Sequence, residues 1–76
     1  MQLEIITPDK VLYSGTVSRV KVPGSKGSFE VLNNHAAIIS SLNAGKVRVV
    51  DAEGTHSFDI NGGIIEVLEN KVIVLT

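Results

Sequence analysis

The chain has 76 residues, with seven basic side chains, eight acidic side chains and no cysteine. This length predicts a single domain, residues 1–76, with a small core, and the lack of cysteine excludes a disulfide framework and a thiolate zinc site. The near-neutral charge and the three aromatic residues argue against nucleic-acid binding, which needs a concentrated basic stripe or a base-stacking platform. The basic residues are scattered along the sequence, at Lys10, Arg19, Lys21, Lys26, Lys46, Arg48 and Lys71.

The amino-terminal segment, MQLEIITPDK, has no basic region followed by a long apolar stretch, so it does not have the pattern of a secretory signal. No apolar run approaches the roughly 20 residues that span a bilayer. We therefore expect contact with a membrane to come only through a partner.

Strands are predicted throughout the chain, because valine and isoleucine supply 19 of the 76 residues and turn-forming residues recur at short intervals. No segment is long and periodic enough to predict a substantial helix. Many short strands in so small a chain predict an all-β fold, either two small packed sheets or a flattened barrel. In chain order the expected strands are Gln2–Thr7, Val11–Tyr13, Thr16–Val22, Ser28–Leu32, Ala37–Leu42, Lys46–Asp51, Thr55–Asn61, Ile64–Leu68 and Lys71–Leu75.

Apolar and polar residues alternate in Thr55–Ile60, a pattern typical of a strand with one face in the core. Phe58 and Ile60 are expected to face inward, and Ser57 and Asp59 outward.

Other strands are apolar on both faces, among them Ile64–Leu68 and Val72–Leu75. Since a domain of this size has one core, some of these side chains are expected to face outward. They lie either under a covering loop or strand, or on an exposed surface that binds another protein. The candidates are Ile39, Ile64, Leu68, Ile73 and Leu75.

Neither histidine lies in a pattern typical of a metal or catalytic site. His35 and His56 are far apart in sequence, and without cysteine a zinc site would need carboxylates from distant strands. No Gly-x-Ser-x-Gly elbow is present, and a domain this small has little room for a catalytic triad. The sequence therefore predicts no catalytic residues, no cofactor and no metal, and hence a protein that is not an enzyme.

Several glycines and carboxylates have structural interpretations. Gly24 and Gly27 predict a tight hairpin rather than a phosphate-binding loop, because no helix follows them. Glu30 and Glu66 lie inside apolar strands and are expected to face outward. The Gly62-Gly63 pair predicts a close backbone approach, a bulge or a plain turn.

Five stretches, taken in order, carry a resemblance to a known family. They are Ile5-x-x-Pro-x-x-x-Leu-Tyr-x-Gly15, Val20-x-Val-Pro-Gly-Ser-x-Gly-Ser-Phe29, Asn34-His-Ala36, Leu42-x-Ala-Gly45 and Asn61-Gly-Gly-Ile-Ile-Glu-Val67. Together they resemble the N-terminal β-domain of the epsilon subunit of F-type ATP synthases, and the resemblance covers nearly the whole chain. The combination is specific, whereas no single stretch would be.

This resemblance implies a flattened, ten-stranded β-sandwich at the foot of a rotating central stalk. It implies a non-catalytic subunit that links the gamma subunit to the c-subunit rotor ring and couples proton flow to ATP synthesis, with indirect contact to the alpha/beta head. The implied location is the cytoplasmic face of a bacterial inner membrane, as a peripheral part of the complex.

The resemblance also implies two sets of contact residues. The rotor-ring contact is implied for Gly24, Ser25, Lys26, Gly27, Ser28 and Phe29, with Ser28 at a position that is often acidic. The gamma contact is implied for Thr7, Leu12, Tyr13, His35, Ala36, Ile38, Ile39 and Leu42. We expect His35 to hold a turn rather than to transfer protons.

The sequence departs from the family pattern at two places. Family members commonly read Pro-Gly-His-Ala-Pro where this chain has Asn33-Asn34-His35-Ala36-Ala37, and losing both prolines is expected to loosen that turn. Most members continue into a C-terminal helical hairpin that inhibits ATP hydrolysis and in some members binds ATP. This sequence has no counterpart to that hairpin, so these functions are not transferred.

Two alternatives stay open from the sequence alone. A biotinyl- or lipoyl-type carrier domain is also all-β and of similar length, and Lys71 follows a predicted turn, although the expected flanking residues are missing. A small ligand-binding or lectin-like domain would need an exposed aromatic platform or an acidic metal cluster, and neither is evident.

Overall fold

The computed structural model describes all 76 residues, Met1–Thr76, and every regular element in it is a β-strand, which confirms the all-β prediction. No stretch of the chain forms an apolar helix of membrane-spanning length. The strands are β1 (Gln2–Ile6), β2 (Val11–Val22), β3 (Phe29–Leu32), β4 (Ile38–Asp51), β5 (Gly54–Leu68) and β6 (Lys71–Leu75).

The six strands form one sheet that closes on itself. Its order is β1-β6-β5-β4-β2-β3, and β1 also pairs with β2, so that all strands except β3 form a closed ring. β1 and β6 run parallel, whereas every other pair of neighbours is antiparallel. β3 pairs only with β2 and therefore leaves a free edge. The result is a flattened barrel that measures 26 × 24 × 19 Å.

The strand count corrects the expectation, because six strands, three of them long, replace the nine predicted from turn residues and the ten implied by the resemblance. β2, β4 and β5 each run through a glycine-containing site that was expected to end a strand. Pairing continues at all three sites, since Gly15 is paired with Leu3, Gly45 with Ile60 and Gly63 with Leu42. None of these glycines marks a strand end, and among the three sites the ladder is interrupted only at Gly62-Gly63, which we interpret as a corner of the barrel.

Gly62 and Gly63 show why such a corner needs glycine. Both have positive φ, of +112° and +143°, and a Cβ added at Gly63 would collide with the carbonyl group of Leu75. The ladder between β4 and β5 omits only Asn43 and Gly62, so the strands stay paired through the bend. The pair is thus a close backbone approach, one of the three expected alternatives, and not a turn.

The core lies inside the ring and is entirely apolar, with no buried polar or charged side chain. Most of its members are β-branched, and such side chains pack well on a pleated surface. It consists of 15 residues: Met1, Leu3, Ile5, Val17, Val20, Val22, Val31, Leu42, Val47, Val49, Ile60, Ile65, Val67, Val72 and Val74.

The predicted alternation in Thr55–Ile60 is confirmed. Ile60 is buried and Phe58 packs partly buried against the core, whereas Ser57 and Asp59 are exposed. Glu30 and Glu66 are exposed as well, as expected for outward-facing strand residues.

Candidate docking surfaces

The loop between β2 and β3 forms the hairpin that the sequence predicted. Val22 pairs with Phe29 at its base, and the Gly27 amide donates a hydrogen bond of 3.0 Å to the Gly24 carbonyl. Gly27 has a φ of +123°. Gly24 is needed for a different reason, since a Cβ there would lie 2.6 Å from the Gly27 carbonyl oxygen and 2.8 Å from the Phe29 ring.

This hairpin faces the start of β4 across a groove of about 540 Å³, lined by Gly24–Phe29 and Ile38–Ser41. The Ser25 amide donates to the Ser41 carbonyl at 3.0 Å, and the Ser25 and Ser41 hydroxyls lie 2.7 Å apart. The hairpin is therefore fixed to the barrel wall rather than free.

The hairpin residues differ in what they offer to a partner. Gly24 is buried and Phe29 is half-buried against the core, so these two support the loop. The tip, Ser25–Ser28, is exposed and carries two hydroxyls and one ammonium group. A partner would thus meet a polar, mostly uncharged tip.

A second surface is formed by the outer side of β4, β5, β6 and β1. Taken in the order β4, β5, β6, β1, one row of paired residues across these strands is Ser41, Ile64, Leu75 and Ile6. The next row is Ile39, Glu66, Ile73 and Glu4. We call this surface the apolar face, and define it by Ile6, Ile39, Ile64, Leu68, Ile73 and Leu75. The prediction that apolar side chains face outward is confirmed, with exposures of 72% for Ile39, 48% for Ile64, 54% for Leu68 and 50% for Leu75.

At one end the apolar face continues into the turn between β1 and β2. A cleft of about 430 Å³ lies between Thr7–Pro8, Gly63–Ile64 and Leu75–Thr76. The Thr7 hydroxyl accepts hydrogen bonds from the amides of Asp9 and Lys10, at 3.2 and 3.0 Å. Thr7 therefore fixes this turn beside the apolar face.

Tyr13 and Leu12 occupy a different place from the one shared by Thr7 and Ile39. Tyr13 packs edge-on against Phe58, with ring centroids 5.7 Å apart, and its hydroxyl donates to an Asp51 carboxylate oxygen at 2.7 Å. His56 Nε2 lies 3.0 Å from the same carboxylate. These contacts close one end of the core, against which Leu12 is also partly buried.

Two members of this cluster, Tyr13 and Asp51, have shifted pKa values. Burial, followed by the hydrogen bond to Asp51, raises the pKa of Tyr13 to about 12. The Tyr13 hydrogen bond is the main cause that lowers the pKa of Asp51 to about 2, against the opposing effect of desolvation. No group of three His, Asp or Glu side chains in the chain is arranged to hold a metal ion.

The His35 segment forms a turn after β3. The His35 amide donates to the Leu32 carbonyl at 3.1 Å, and the ring Nδ1 lies 2.7 Å from the Ala36 carbonyl oxygen, which can only accept. Asn34 has a φ of +63°, and its amide donates to the Asn70 side chain at 2.9 Å. Hydrogen bonds thus hold this turn, which contains no proline.

Two predicted contact residues on β4 differ sharply from each other. Ile39 is the most exposed of the large apolar residues, whereas Leu42 is a core residue with 6% exposure. The prediction that Leu42 contacts a partner is therefore corrected, because its side chain faces the inside of the barrel. Ile38 is half-buried against the core, and Ala36 is exposed in the preceding turn.

Sequence reasoning missed residues that the fold adds to these surfaces. Ile64 and Leu75 were expected to face outward, but only the strand pairing shows that they connect Ile39 to Thr7. Asp51 and His56 had no local motif, and their contacts with Tyr13 depend on pairing between strands distant in sequence.

Comparison with known proteins gives a consistent result. A family model described as the β-sandwich domain of the ATP synthase delta/epsilon chain matches residues 1–76. The ATP synthase epsilon chain of Chlorobium limicola is 42% identical over 76 residues, covering 99% of this chain and 86% of the relative. That of Leptospira borgpetersenii is 38% identical over 76 residues, covering all of this chain and 60% of the relative.

Two solved structures share the fold at low sequence identity. A chain in the cryo-EM structure of the Euglena gracilis mitochondrial ATP synthase with OSCP, F1 and c-ring matches with a TM-score of 0.90 at 22% identity, over 97% of this chain and 48% of that chain. A chain in the Tetrahymena thermophila mitochondrial ATP synthase central stalk and c-ring matches with a TM-score of 0.81 at 20% identity, over 97% and 60%.

The match to one family model over the full chain supersedes the carrier and ligand-binding alternatives, neither of which gains support from a contact in the structure. The chain belongs to the ATP synthase delta/epsilon family, of which it forms the β-sandwich domain.

Proposed function

We propose that this chain is a non-catalytic subunit of the central stalk, which links the gamma subunit to the c-subunit ring of a proton-translocating ATP synthase. The family assignment supports this role, since its members are chains of that complex and not separate enzymes. We place the subunit on the cytoplasmic face of a bacterial inner membrane, in contact with the alpha/beta head only indirectly.

The apolar face is our candidate for the gamma contact. Its residues lie on one side of four paired strands, with Ile64, Leu75 and Ile6 as direct neighbours and with Glu66 and Glu4 interspersed in the adjacent row. Burying this face removes exposed apolar area from water. Thr7 and Ile39 lie at its two sides. The His35–Ala36 turn directly precedes β4 and adds a polar rim to this surface, whereas Leu12 and Tyr13 support the barrel end.

The hairpin tip, Ser25–Ser28, is our candidate for the ring contact. Its amide-anchored loop holds short polar side chains at a fixed position, with Gly24 and Phe29 as supports. A rigid barrel between two such contacts would transmit rotation without bending, because its closed sheet has few flexible side chains inside.

The observation that carries the proposal is the exposed apolar face with Ile39 near its edge. Burying an isoleucine contributes roughly 1.5–3 kcal/mol, so Ile39→Glu should weaken binding to gamma by about 10- to 100-fold. Leu32→Glu is the matched control, since Leu32 is also exposed but lies on β3, away from this face.

The test mixes each variant with the gamma subunit of the same organism and measures the complex by size-exclusion chromatography with light scattering. We expect a one-to-one complex for the unchanged chain and for the Leu32 variant, and a weakened complex for the Ile39 variant. If both variants bind gamma equally well, the apolar face is not the gamma contact. A chain that stays alone at micromolar concentration would contradict the stalk role itself.

A further inference from the structure

Basic residues that are scattered in the sequence meet on one outer face of the barrel. β2 and β4 are paired so that Lys21 lies directly opposite Arg48, with Lys46 as the diagonal neighbour. On the other side of β2, Lys21 is paired with Glu30, and on the other side of β4, Lys46 is paired with Asp59. This face shares β4 with the apolar face but uses a different part of that strand, Lys46 and Arg48 instead of Ile39.

The charges on this face are not balanced. Asp59 accepts a hydrogen bond from Lys46 at 2.9 Å, and the Glu30 carboxylate lies 3.9 Å from the Arg19 guanidinium. The remaining ion pairs of the chain are elsewhere, between Asp51 and His56 and between Glu4 and Lys71. Lys21 and Arg48 therefore form no ion pair, although Glu30 lies opposite Lys21 on β3, and the face keeps an excess of positive charge.

Two like charges directly opposite each other on paired strands destabilise a sheet. Nothing in the fold requires them, because both side chains are exposed and neither contributes to the core. A ligand of opposite charge would remove the repulsion. The pair thus resembles a binding feature more than a packing feature.

The same residues line a concave site. A cleft of about 230 Å³ is formed by Lys21, Val22, Pro23, Ser28, Lys46 and Arg48. A guanidinium, two ammonium groups and a hydroxyl around one small cleft are the donors that proteins use for phosphate oxygens. The volume suits a single phosphate group with its first substituent, rather than a whole nucleotide.

We propose that this cleft, on the outer face of β2 and β4, binds a phosphate group through Lys21, Arg48, Lys46 and the Ser28 hydroxyl. The phosphate belongs either to a soluble compound or to the headgroup of an anionic lipid. The inference is independent of the gamma contact, because the two sites share β4 but no residue: the cleft uses Lys46 and Arg48, and the apolar face uses Ile39.

The test uses the full chain and two probes, inorganic phosphate at constant ionic strength and vesicles of phosphatidylglycerol in phosphatidylcholine. Amide resonances in nitrogen–proton correlation spectra should shift saturably at Lys21, Ser28 and Arg48 as phosphate is added. Sedimentation with the anionic vesicles, compared with pure phosphatidylcholine vesicles, reports on the lipid source.

The variant K21Q/R48Q should lose at least about tenfold in apparent affinity for whichever probe binds. The control K10Q/K71Q removes the same number of positive charges from other parts of the barrel and should bind unchanged. A second variant, Ser28→Asp, places a carboxylate in the cleft and should also abolish binding. Thermal melts check that each variant is folded, and K21Q/R48Q should melt no lower than the unchanged chain because it loses a repulsion.

Saturable binding of phosphate alone supports the site with a soluble ligand, and binding of anionic vesicles alone supports it with a lipid headgroup. Binding of both supports the shared phosphate chemistry. The proposal is overturned if neither probe binds. It is also overturned if K10Q/K71Q loses as much affinity as K21Q/R48Q, because binding would then depend on total charge and not on the cleft.

Discussion

Replacing Gly63 with alanine should destabilise the barrel severely, for two separable reasons. Gly63 has a φ of +143°, in a region that L-residues rarely adopt, which costs about 1–3 kcal/mol for a side chain. In addition, the new Cβ would collide with the carbonyl group of Leu75 on β6. Overpacking of this kind costs about 1–3 kcal/mol more, because backbone must move.

Together the two effects amount to about 2–6 kcal/mol, against a total stability of roughly 4–11 kcal/mol for a chain of this length. Gly54→Ala is the matched control. Gly54 also has a positive φ, +126°, but a Cβ there would meet no atom within 4 Å, so only the conformational cost applies.

Thermal unfolding followed by circular dichroism separates the two variants. Since each kcal/mol shifts Tm by about 4–8 °C in a domain of this size, Gly63→Ala should melt about 4–24 °C below Gly54→Ala. Melting temperatures that agree within about 2 °C would refute the close approach of β5 to β6 as the reason for this glycine.

Three further predictions concern the core and the Tyr13 cluster. Leu3→Ala should cost about 2–5 kcal/mol in denaturant unfolding because Leu3 is fully buried, whereas Leu68→Ala at an exposed site should cost less than about 0.5 kcal/mol. The pKa of Asp51 is lowered from 3.8 to about 2 in the folded chain. The ionised carboxylate therefore stabilises the fold fully above pH 3.8, and this stabilisation is lost as the pH falls towards 2. Asp51→Asn should remove this loss from the pH dependence of Tm. Tyr13 is the only tyrosine, so ultraviolet titration of its phenolate should give a midpoint near 12 instead of 10, and Asp51→Asn should move it back towards 10. A Tyr13 midpoint that is the same with and without the Asp51 carboxylate would contradict the role assigned to their hydrogen bond.

Local patterns predicted the strands and many of their faces, but not how strands join. The alternation in Thr55–Ile60 identified the inward residues correctly, because it depends only on the two-residue period of a strand. Turn residues were less reliable: Gly62-Gly63 was expected to be the boundary between two strands, but β5 continues through it. Glycine signals both a turn and a corner, and only the partner strand decides which of the two it makes.

The candidate surfaces could be predicted only in part. Ile39 was expected to face outward because its strand is apolar on both faces. The two-residue period then places Leu42, three residues later, on the opposite, inward face, so the contact implied for Leu42 by the resemblance was at odds with the strand pattern. Lys21 and Arg48 are far apart in sequence, and their contact follows from the register of β2 against β4. The register between strands that are distant in sequence determines such contacts, and it cannot be deduced from local patterns in a single sequence.

The position of β1 has a consequence for the kinetics of folding. β1 is hydrogen-bonded on both sides, antiparallel to β2 and parallel to β6, and Gln2 pairs with Lys71 from the opposite end of the chain. The hairpin of β4 and β5 needs only a short loop closure, whereas the β1–β6 pairing closes a loop of almost the full chain length. We therefore expect the hairpin to nucleate folding and β1 to insert last, as the slow step. Until that step the edges of β2 and β6 are open to other chains, so that aggregation competes with folding while β1 is absent.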